Sequence, residues 1–579
     1  MFNRWFSTLW GQTNVLYLPV KRRYWVDLII LLVGCAILYS LLAVGELWTA
    51  PKRVAIVIDL SPSALPRYTL YSTMRALIAF ALSLGFTLVV APIAAKNARA
   101  EKILIPFLDM CQSVPVLGFM PGLVIALAGL SRGHNIGLEL AAILMIFTSQ
   151  AWNMAFSVYY SIKSVPADLS EAGRHNGFNR WQRFKWLELP ASMNGLVWNS
   201  MMSMAGAWFF LMINEAFTLG GQDYRLPGIG AYMSEAVNRG DRSAIAWALF
   251  AMLILIVLMD QLIWRPVLVW SLRFRIDDAA PGENETTWFL TLLRRSRLVR
   301  LLRRSLSRRK REVKRQIAQL PAVAVQSRWV NWLAGALVIG VLATLSILAA
   351  VRLTGLFMQV PGAGWGNLML RGGATLGRVL LATALATLWT LPAGLAIGLS
   401  PRLSKMLQPV VQVVAAFPAP MLFSVTITLF IRFGLGINAG SVFLMLLGGQ
   451  WYILFNLIAG ASAIPADLRE ASAAYGLSLW RRFTQLYLPC VFPYLVTGWV
   501  TCAGGSWNAS IITEYFEQRG GGAISTFGLG SAITEAAATA NFPMLAASVL
   551  LMVVIVITFN RLVWRPLYQL AETKYALSK

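Results

Sequence analysis

Apolar runs of about 20 residues, long enough to cross a hydrocarbon layer of roughly 30 Å as a helix, recur along the chain. They cover 26–48, 74–95, 103–130, 136–160, 190–213 and 244–264, and then 330–350, 376–400, 407–431, 437–461, 489–512 and 542–564. Short polar stretches separate them, and none shows the ten-residue alternation of a membrane barrel. In lipid a helix satisfies each backbone N–H and C=O within its own segment. The pattern therefore predicts an all-α polytopic membrane protein with about 12 transmembrane helices. The run at 26–48 exceeds a signal-peptide core and reads as a retained span.

The polar stretches carry a second message. "PADLSEAGRHNGFNRWQRFKWLELP" (166–190) and "PADLREASAAYGLSLWRRFTQLYLP" (465–489) share 13 of 25 positions at an offset of 299. The correspondence extends to Trp208 with Trp507, Glu215 with Glu514, Gly228 and Gly230 with Gly528 and Gly530, and "WRP" at 264–266 with 564–566. Two six-helix units are present, and an even number of spans gives both the same topology, so they are parallel repeats about an axis along the membrane normal. The expected organisation is an N-terminal segment with the first span (1–66), a first repeat core (67–270), a basic linker (271–329), a seventh span with its loop (330–371), and a second core with its tail (372–579).

A composition of 57% hydrophobic and 13% charged residues, with mean hydropathy +0.62, agrees with a membrane protein. It turns the net charge of +25 away from nucleic acid and toward loops flanking the spans. Counting Lys and Arg places the N-terminus, the loops at 96–102 and 163–185, the linker and the C-terminus on the cytoplasmic side of an inner membrane. Between Arg294 and Arg315 stand twelve basic residues, and Trp288, Phe289, Leu292, Val299, Leu302 and Leu306 would form one stripe of a helix. Such a helix would lie on anionic lipid; a solvated tether fits the same residues. The four cysteines lack CxxC spacing and the two histidines lack metal-ligand spacing, so no metal site is expected.

In each polar stretch Asp168 (Asp467 in the copy) is placed to cap a short helix, Gly177 or Gly476 to turn the chain sharply, and Pro190 or Pro489 to start the fifth span. Small residues after each Glu leave room for close approach. Glutamate, glycine and proline keep their spacing while "RHN" at 174–176 stands against "AAY" at 473–475, which points to docking rather than a generic basic loop. The pattern E-A-A, three residues, G, nine residues, then I-x-L-P resembles the EAA loop of ABC-importer permeases. Gly173 or Ser472 stands at the third position, and Leu187 or Leu486 at the isoleucine. "AWFFLMINEAF", "GIGAY", "SWNASIITEYF" and "GLGSA" resemble the nitrate, sulfonate and taurine branch of that family. The resemblance implies a type I importer fold, a small anion of that kind as cargo, and two coupling helices with Glu171, Ala172, Gly177, Glu470, Ala471 and Gly476 as contacts to two ATPase subunits, identical or different. A soluble substrate-binding protein is a further implied partner. No G-x-x-x-x-G-K-[ST] occurs, so ATP and Mg are expected on the partner ATPase and no cofactor on this chain.

Pro115 and Pro418 interrupt the third spans in matching places and point toward a pathway, with Gln150, Asn153, Trp208, Gln450, Trp507 and Asn508 as lining candidates. Asp109, Asn214 and Asn456 are further intramembrane polar candidates. Glu215 and Glu514 are expected at the outer ends of the fifth spans, paired with loop groups. An ion-driven carrier would also have two six-helix halves, but it has no use for duplicated polar helices between spans four and five. No catalytic constellation suggests an enzyme.

Overall fold

The computed structural model describes residues 57–113, 115–130, 135–219, 222–274, 344, 348, 350–518 and 522–575. The chain divides into two units, residues 46–257 with 356–579 and residues 1–45 with 258–355. The described part of the latter includes a π turn, Asp260–Trp264, where Arg265 Nε donates to Asp260 Oδ2 at 3.0 Å.

The larger unit holds two matching series of helices. The first comprises α1 (Leu65–Lys96), α2 (Ala98–Ser113), α3 (Met120–Leu130), α4 (Ile136–Lys163), α5 (Ala167–His175), α6 (Leu189–Asn214), α7 (Ile229–Arg239) and α8 (Arg242–Met259). The second comprises α9 (Gly362–Leu399), α10 (Pro401–Ala416), α11 (Pro420–Arg432), α12 (Gly436–Ser462), α13 (Ala466–Ala474), α14 (Leu488–Thr513), α15 (Leu529–Ala538) and α16 (Phe542–Phe559). Prolines stand at the first turns of α1, α6, α10, α14 and α16, where the absent N–H costs nothing.

Among the described residues eight helices are long and apolar enough to cross a membrane, or nine if Pro401–Ala416 and Pro420–Ile427 form one bent span. The run at 26–48 lies outside the described residues, as does 330–350 apart from isolated positions, and so does the basic linker beyond Phe274. The third spans are not continuous helices. Segment 103–130 is split between α2 and α3 by a 3-10 turn at Val116–Phe119, and α10 meets α11 at 77°. Pro115 and Pro418 stand in these breaks, each lacking the N–H that a continuing helix needs. Two short antiparallel hairpins also interrupt the all-helical pattern: β1 (Ala216–Leu219) with β2 (Gln222–Arg225), and β3 (Tyr515–Gln518) with β4 (Gly522–Ser525). Phe217 and Tyr224, cross-strand partners, stack with centroids 5.4 Å apart.

Within each repeat the central helix, α4 or α12, packs between the first core span, α1 or α9, and the fifth span, α6 or α14. Small residues bring these backbones close, as expected where lipid supplies no hydrophobic drive between helices. A Cβ on Gly398 of α9 would lie 2.5 Å from Ala461 Cβ and 2.7 Å from the Ile458 carbonyl oxygen of α12. Ala386, Leu395, Leu457, Ala461, Val491 and Leu495 form the core there. The repeats cross over each other: α6 lies against α10 and α11, while α14 lies against the turn at 116–119.

Gly377 of the same helix α9 would place a Cβ in open space. Gly398→Ala is therefore expected to destabilise the chain by about 1–3 kcal/mol through overpacking, and Gly377→Ala to stabilise it by about 0.5–1 kcal/mol. Thermal unfolding midpoints of the two detergent-purified variants should move in opposite directions.

Candidate functional site

The duplicated polar stretches form the same object twice. Helix α5 begins after Pro166 and ends in a left-handed glycine, Gly177 at φ +68°, and α13 begins after Pro465 and ends at Gly476, φ +62°. Phe178 N–H reaches back to the Gly173 carbonyl at 3.0 Å and Gly177 N–H to that of Arg174 at 2.9 Å. Leu477 and Gly476 repeat both bonds onto Ser472 and Ala473 at 3.2 and 3.0 Å. This is the Schellman ending, which requires a positive φ at the glycine. Asp168 does not cap α5 through a side-chain bond, because Pro166 occupies the cap; its carboxylate lies in the first turn, where the helix dipole favours it.

Glu171, Ala172 and Gly177, with Glu470, Ala471 and Gly476, are all exposed. The next small residue has another use. Gly173 and Ser472 are buried, and a Cβ on Gly173 would touch Phe178 and Arg183 of the segment folding back beneath the helix. Leu169 and Leu468 lie 40% and 41% exposed, and Trp181 and Trp480 67% and 72%. Each short helix thus presents a carboxylate, a small residue and a leucine to the outside, beside a tryptophan whose ring meets Phe184 or Phe483 of its own segment.

The pathway candidates separate into two groups. Gln150 is buried inside the first repeat, its Oε1 accepting from Ser83 at 3.4 Å, and Gln450 is buried inside the second, accepting from Trp389 Nε1 at 2.9 Å. These glutamines tie helices within their own repeats, and the structure does not bring them together. Pro115, Pro418, Trp208 and Trp507 are buried. Asn508 is half-buried on α14; its Oδ1 lies 3.5 Å from the Leu117 N–H freed by the break in the first repeat. Its equivalent on α6, Phe209, packs on Ala419, Phe423 and Ile427 beside the break in the second repeat. Asn153 is half-buried on α4, and its equivalent Tyr452 reaches between Gly206 and Gly505 of the two fifth spans.

At the opposite end of the helices lies a cluster that the sequence reading only half anticipates. Glu215 and Glu514 are completely buried, and their principal partners are arginines inside the first core spans rather than loop side chains. Arg75 donates from Nη1 to Glu215 Oε1 at 2.6 Å and to the Pro227 carbonyl at 2.9 Å, while Nε and Nη2 clasp Glu139 at 2.6 and 2.7 Å. Ser72 Oγ donates to Glu215 Oε1 at 2.6 Å and accepts from Ile229 N–H at 3.0 Å, and Gly230 N–H donates to Glu215 Oε2 at 2.7 Å. The second repeat rebuilds the motif with Arg378 on Glu514 at 2.8 Å, Thr375 in place of Ser72, and Gly530 N–H at 2.9 Å. Asn438 there replaces Glu139, at 3.3 Å from Arg378 Nη2. Any Cβ on Gly228 or Gly528 would collide with these carboxylates, which explains the paired glycines. The available sequence signal is an arginine just inside the apolar runs that begin at 74 and 376, a position tolerated only with a partner.

Comparisons with known proteins fit this duplicated architecture. The family described as binding-protein-dependent transport system inner membrane component matches residues 78–263 and again 390–564. The nitrate import permease protein NrtB of Synechococcus elongatus is 26% identical over 147 residues, 25% of this chain and 51% of that protein. The bicarbonate transport system permease protein CmpB of Synechocystis sp. is 28% identical over 141 residues, 24% and 49% of the two chains. The glycine betaine/proline betaine transport system permease protein ProW of Escherichia coli is 30% identical over 124 residues, 21% and 34%. The chain spans about half the length of NrtB and CmpB.

Arg75 is 3% exposed between Glu139 and Glu215, themselves 2% and 0% exposed, whereas Arg378 is 14% exposed and meets one carboxylate. Arg75→Met is expected to cost about 3–5 kcal/mol by stranding buried charge. Arg378→Met should cost less, about 1–3 kcal/mol. Chemical or thermal unfolding of the two variants in the same detergent checks the order.

Proposed function

The chain belongs to the family of binding-protein-dependent transport system inner membrane components, and on that premise we propose that it forms the membrane-spanning pathway of an ATP-driven importer, with α5 and α13 docking two separate ATPase subunits. The observation that carries this reading is the exposed short helix built twice, with the same extended start after proline, the same αL glycine stop and the same outward Glu-Ala. A helix closed by a Schellman turn is a rigid peg. Two such pegs can be displaced as bodies when ATPase subunits close on ATP and Mg, and each is joined through a thirteen-residue segment to a fifth span that crosses to the other repeat. Displacing the pegs then shifts the crossed bundles between outward- and inward-open arrangements, a population shift driven by nucleotide.

Lys96, Arg99, Lys102, Lys163, Arg174, Arg183 and Lys185 cluster at the peg end, which supports placing it in the cytoplasm of a bacterium, with both termini, and the Arg75 and Arg378 clusters toward the outer face. A substrate-binding protein would deliver cargo there. The names of the nitrate and bicarbonate relatives, together with the sequence resemblance, support a small anion as cargo. The basic linker would rest on anionic lipid. An ion-coupled carrier is the weaker reading, because the buried carboxylates Glu215 and Glu514 are each clamped by an arginine instead of being held ready for a proton.

Purified with its ATPase, the chain should retain a P-loop protein. Combined Glu171→Arg and Glu470→Arg should weaken that co-purification by roughly tenfold or more, about 1–2 kcal/mol at each peg. Undiminished co-purification, or transport that needs an ion gradient and no nucleotide, would falsify the reading.

A further inference from the structure

The segment joining each peg to its fifth span is a π turn, Phe184–Glu188 in the first repeat and Phe483–Tyr487 in the second. Such turns hold one surplus residue in the helix and often mark sites of movement. What surrounds them differs. In the first repeat Glu188 closes the turn, 5% exposed, with Lys96 Nζ from the end of α1 only 2.5 Å from its Oε2 and Arg183 Nη2 3.8 Å from its Oε1. Lys96 also lies 5.3 Å from the centre of the Phe184 ring. Neither approach to Glu188 has the alignment of a hydrogen bond: Oε2 accepts none, and Arg183 Nε donates to nothing. In the second repeat the equivalents of Lys96 and Glu188 are Leu399 and Tyr487, which pack with Phe483, Leu486 and Leu488 around a fully apolar cluster.

The same contrast recurs one turn away. Glu101 of α2 accepts from Lys163 at 2.8 Å and from Tyr159 at 2.5 Å, and those bonds hold its carboxyl below the usual carboxylate range. The corresponding second-repeat residues are Ser404, Ser462 and Ile458. Ion pairs therefore fasten the peg end of the first repeat, whereas in the second apolar packing is joined by bonds to backbone carbonyls, Arg469 Nη1 of α13 to Leu399 at 3.4 Å and Ser462 Oγ to Gly398 at 3.2 Å.

We propose that Lys96 and Glu188 are positioning residues of the transport cycle, forming a pivot through which the α5 peg swings relative to α1. The inference deepens the importer reading and rests on it. A point charge on a flexible four-carbon stem keeps most of its attraction as its partner rotates, whereas a forked arginine bond such as Arg75 on Glu139 is lost when its alignment is lost. Burial on the Glu188 side limits screening, so the attraction persists through the movement. The joint of the second repeat has less freedom, because packed side chains resist sliding and the Arg469 bond ties α13 directly to the end of α9. Movement of the first peg reaches α6 through a joint that turns, and movement of the second reaches α14 through a joint that is carried rigidly.

The test uses the full chain assembled with its ATPase subunits in nanodiscs, spin-labelled at Arg242→Cys and Thr539→Cys with native cysteines replaced by alanine. The distance between the labels is read with and without vanadate-trapped ATP. Lys96→Met should leave the ATPase bound yet shift the nucleotide-induced population by about tenfold toward the nucleotide-free distance. Exchanging the charges, Lys96→Glu with Glu188→Lys, should restore the change. Copying the apolar joint, Lys96→Leu with Glu188→Tyr, should fold and bind but not restore it. A full distance change in Lys96→Met overturns the proposal, as does failure of the charge exchange in a folded complex or equal rescue by the apolar copy. If the unsubstituted chain retains no ATPase, the importer reading itself fails, which is a separate and recognisable outcome.

Discussion

A carboxylate taken out of water must find donors, and at Glu215 and Glu514 that requirement fixes several distant pieces of chain at once. Each accepts from an arginine and a hydroxyl of the first core span and from a backbone N–H at the start of the helix after the hairpin, α7 or α15. The same hydroxyl receives a second N–H from that helix, and the same arginine reaches a carbonyl just before it. A single unsatisfied member would leave a bare charge among apolar side chains, so the cluster specifies the geometry of this end of each repeat as a unit. The glycines at 228 and 528 follow from it, because no side chain fits where the carboxylate lies.

The two ends of a repeat then obey different physics. Around Arg75 the bonds are short, directional and mutually aligned; around Glu188 they are charge attractions without alignment. The α5 peg stands at the ion-paired end of its repeat, and the crossed fifth span α6 runs from there to the tightly tied one. On the proposed reading, a rigid anchor at one end of α6 and a compliant joint at the other would convert displacement of the α5 peg into tilting of that span. Uniform compliance would dissipate the same push in local bending.

The broad architecture was legible because its signals are periodic. Long apolar runs, a 299-residue echo, and the spacing of Glu171, Gly177 and Pro190 each follow from a local rule of lipid solvation or helix termination. The peg glycines were legible as sharp turns because glycine enters strained backbone regions without steric cost. Asp168 misled, since proline took the cap and no rule of spacing distinguishes a cap from a first turn. The third spans look continuous in hydropathy because Pro115 and Pro418 are themselves apolar; only packing reveals that the helices change direction there. Arg75 and Arg378 escaped notice for the opposite reason. Each sits within an otherwise apolar run, while its carboxylate lies well over a hundred residues away in the chain, and long-range pairing leaves no trace in a window of sequence.

Two identical subunits around a twofold axis must carry every substitution on both sides of that axis. Because both repeats here belong to one polypeptide, that obligation is lifted, and Phe209 facing one proline break while Asn508 faces the other shows the freedom in use. One break is thereby closed by apolar packing and the other by a hydrogen bond, a division of labour closed to any pair of subunits that are copies of each other.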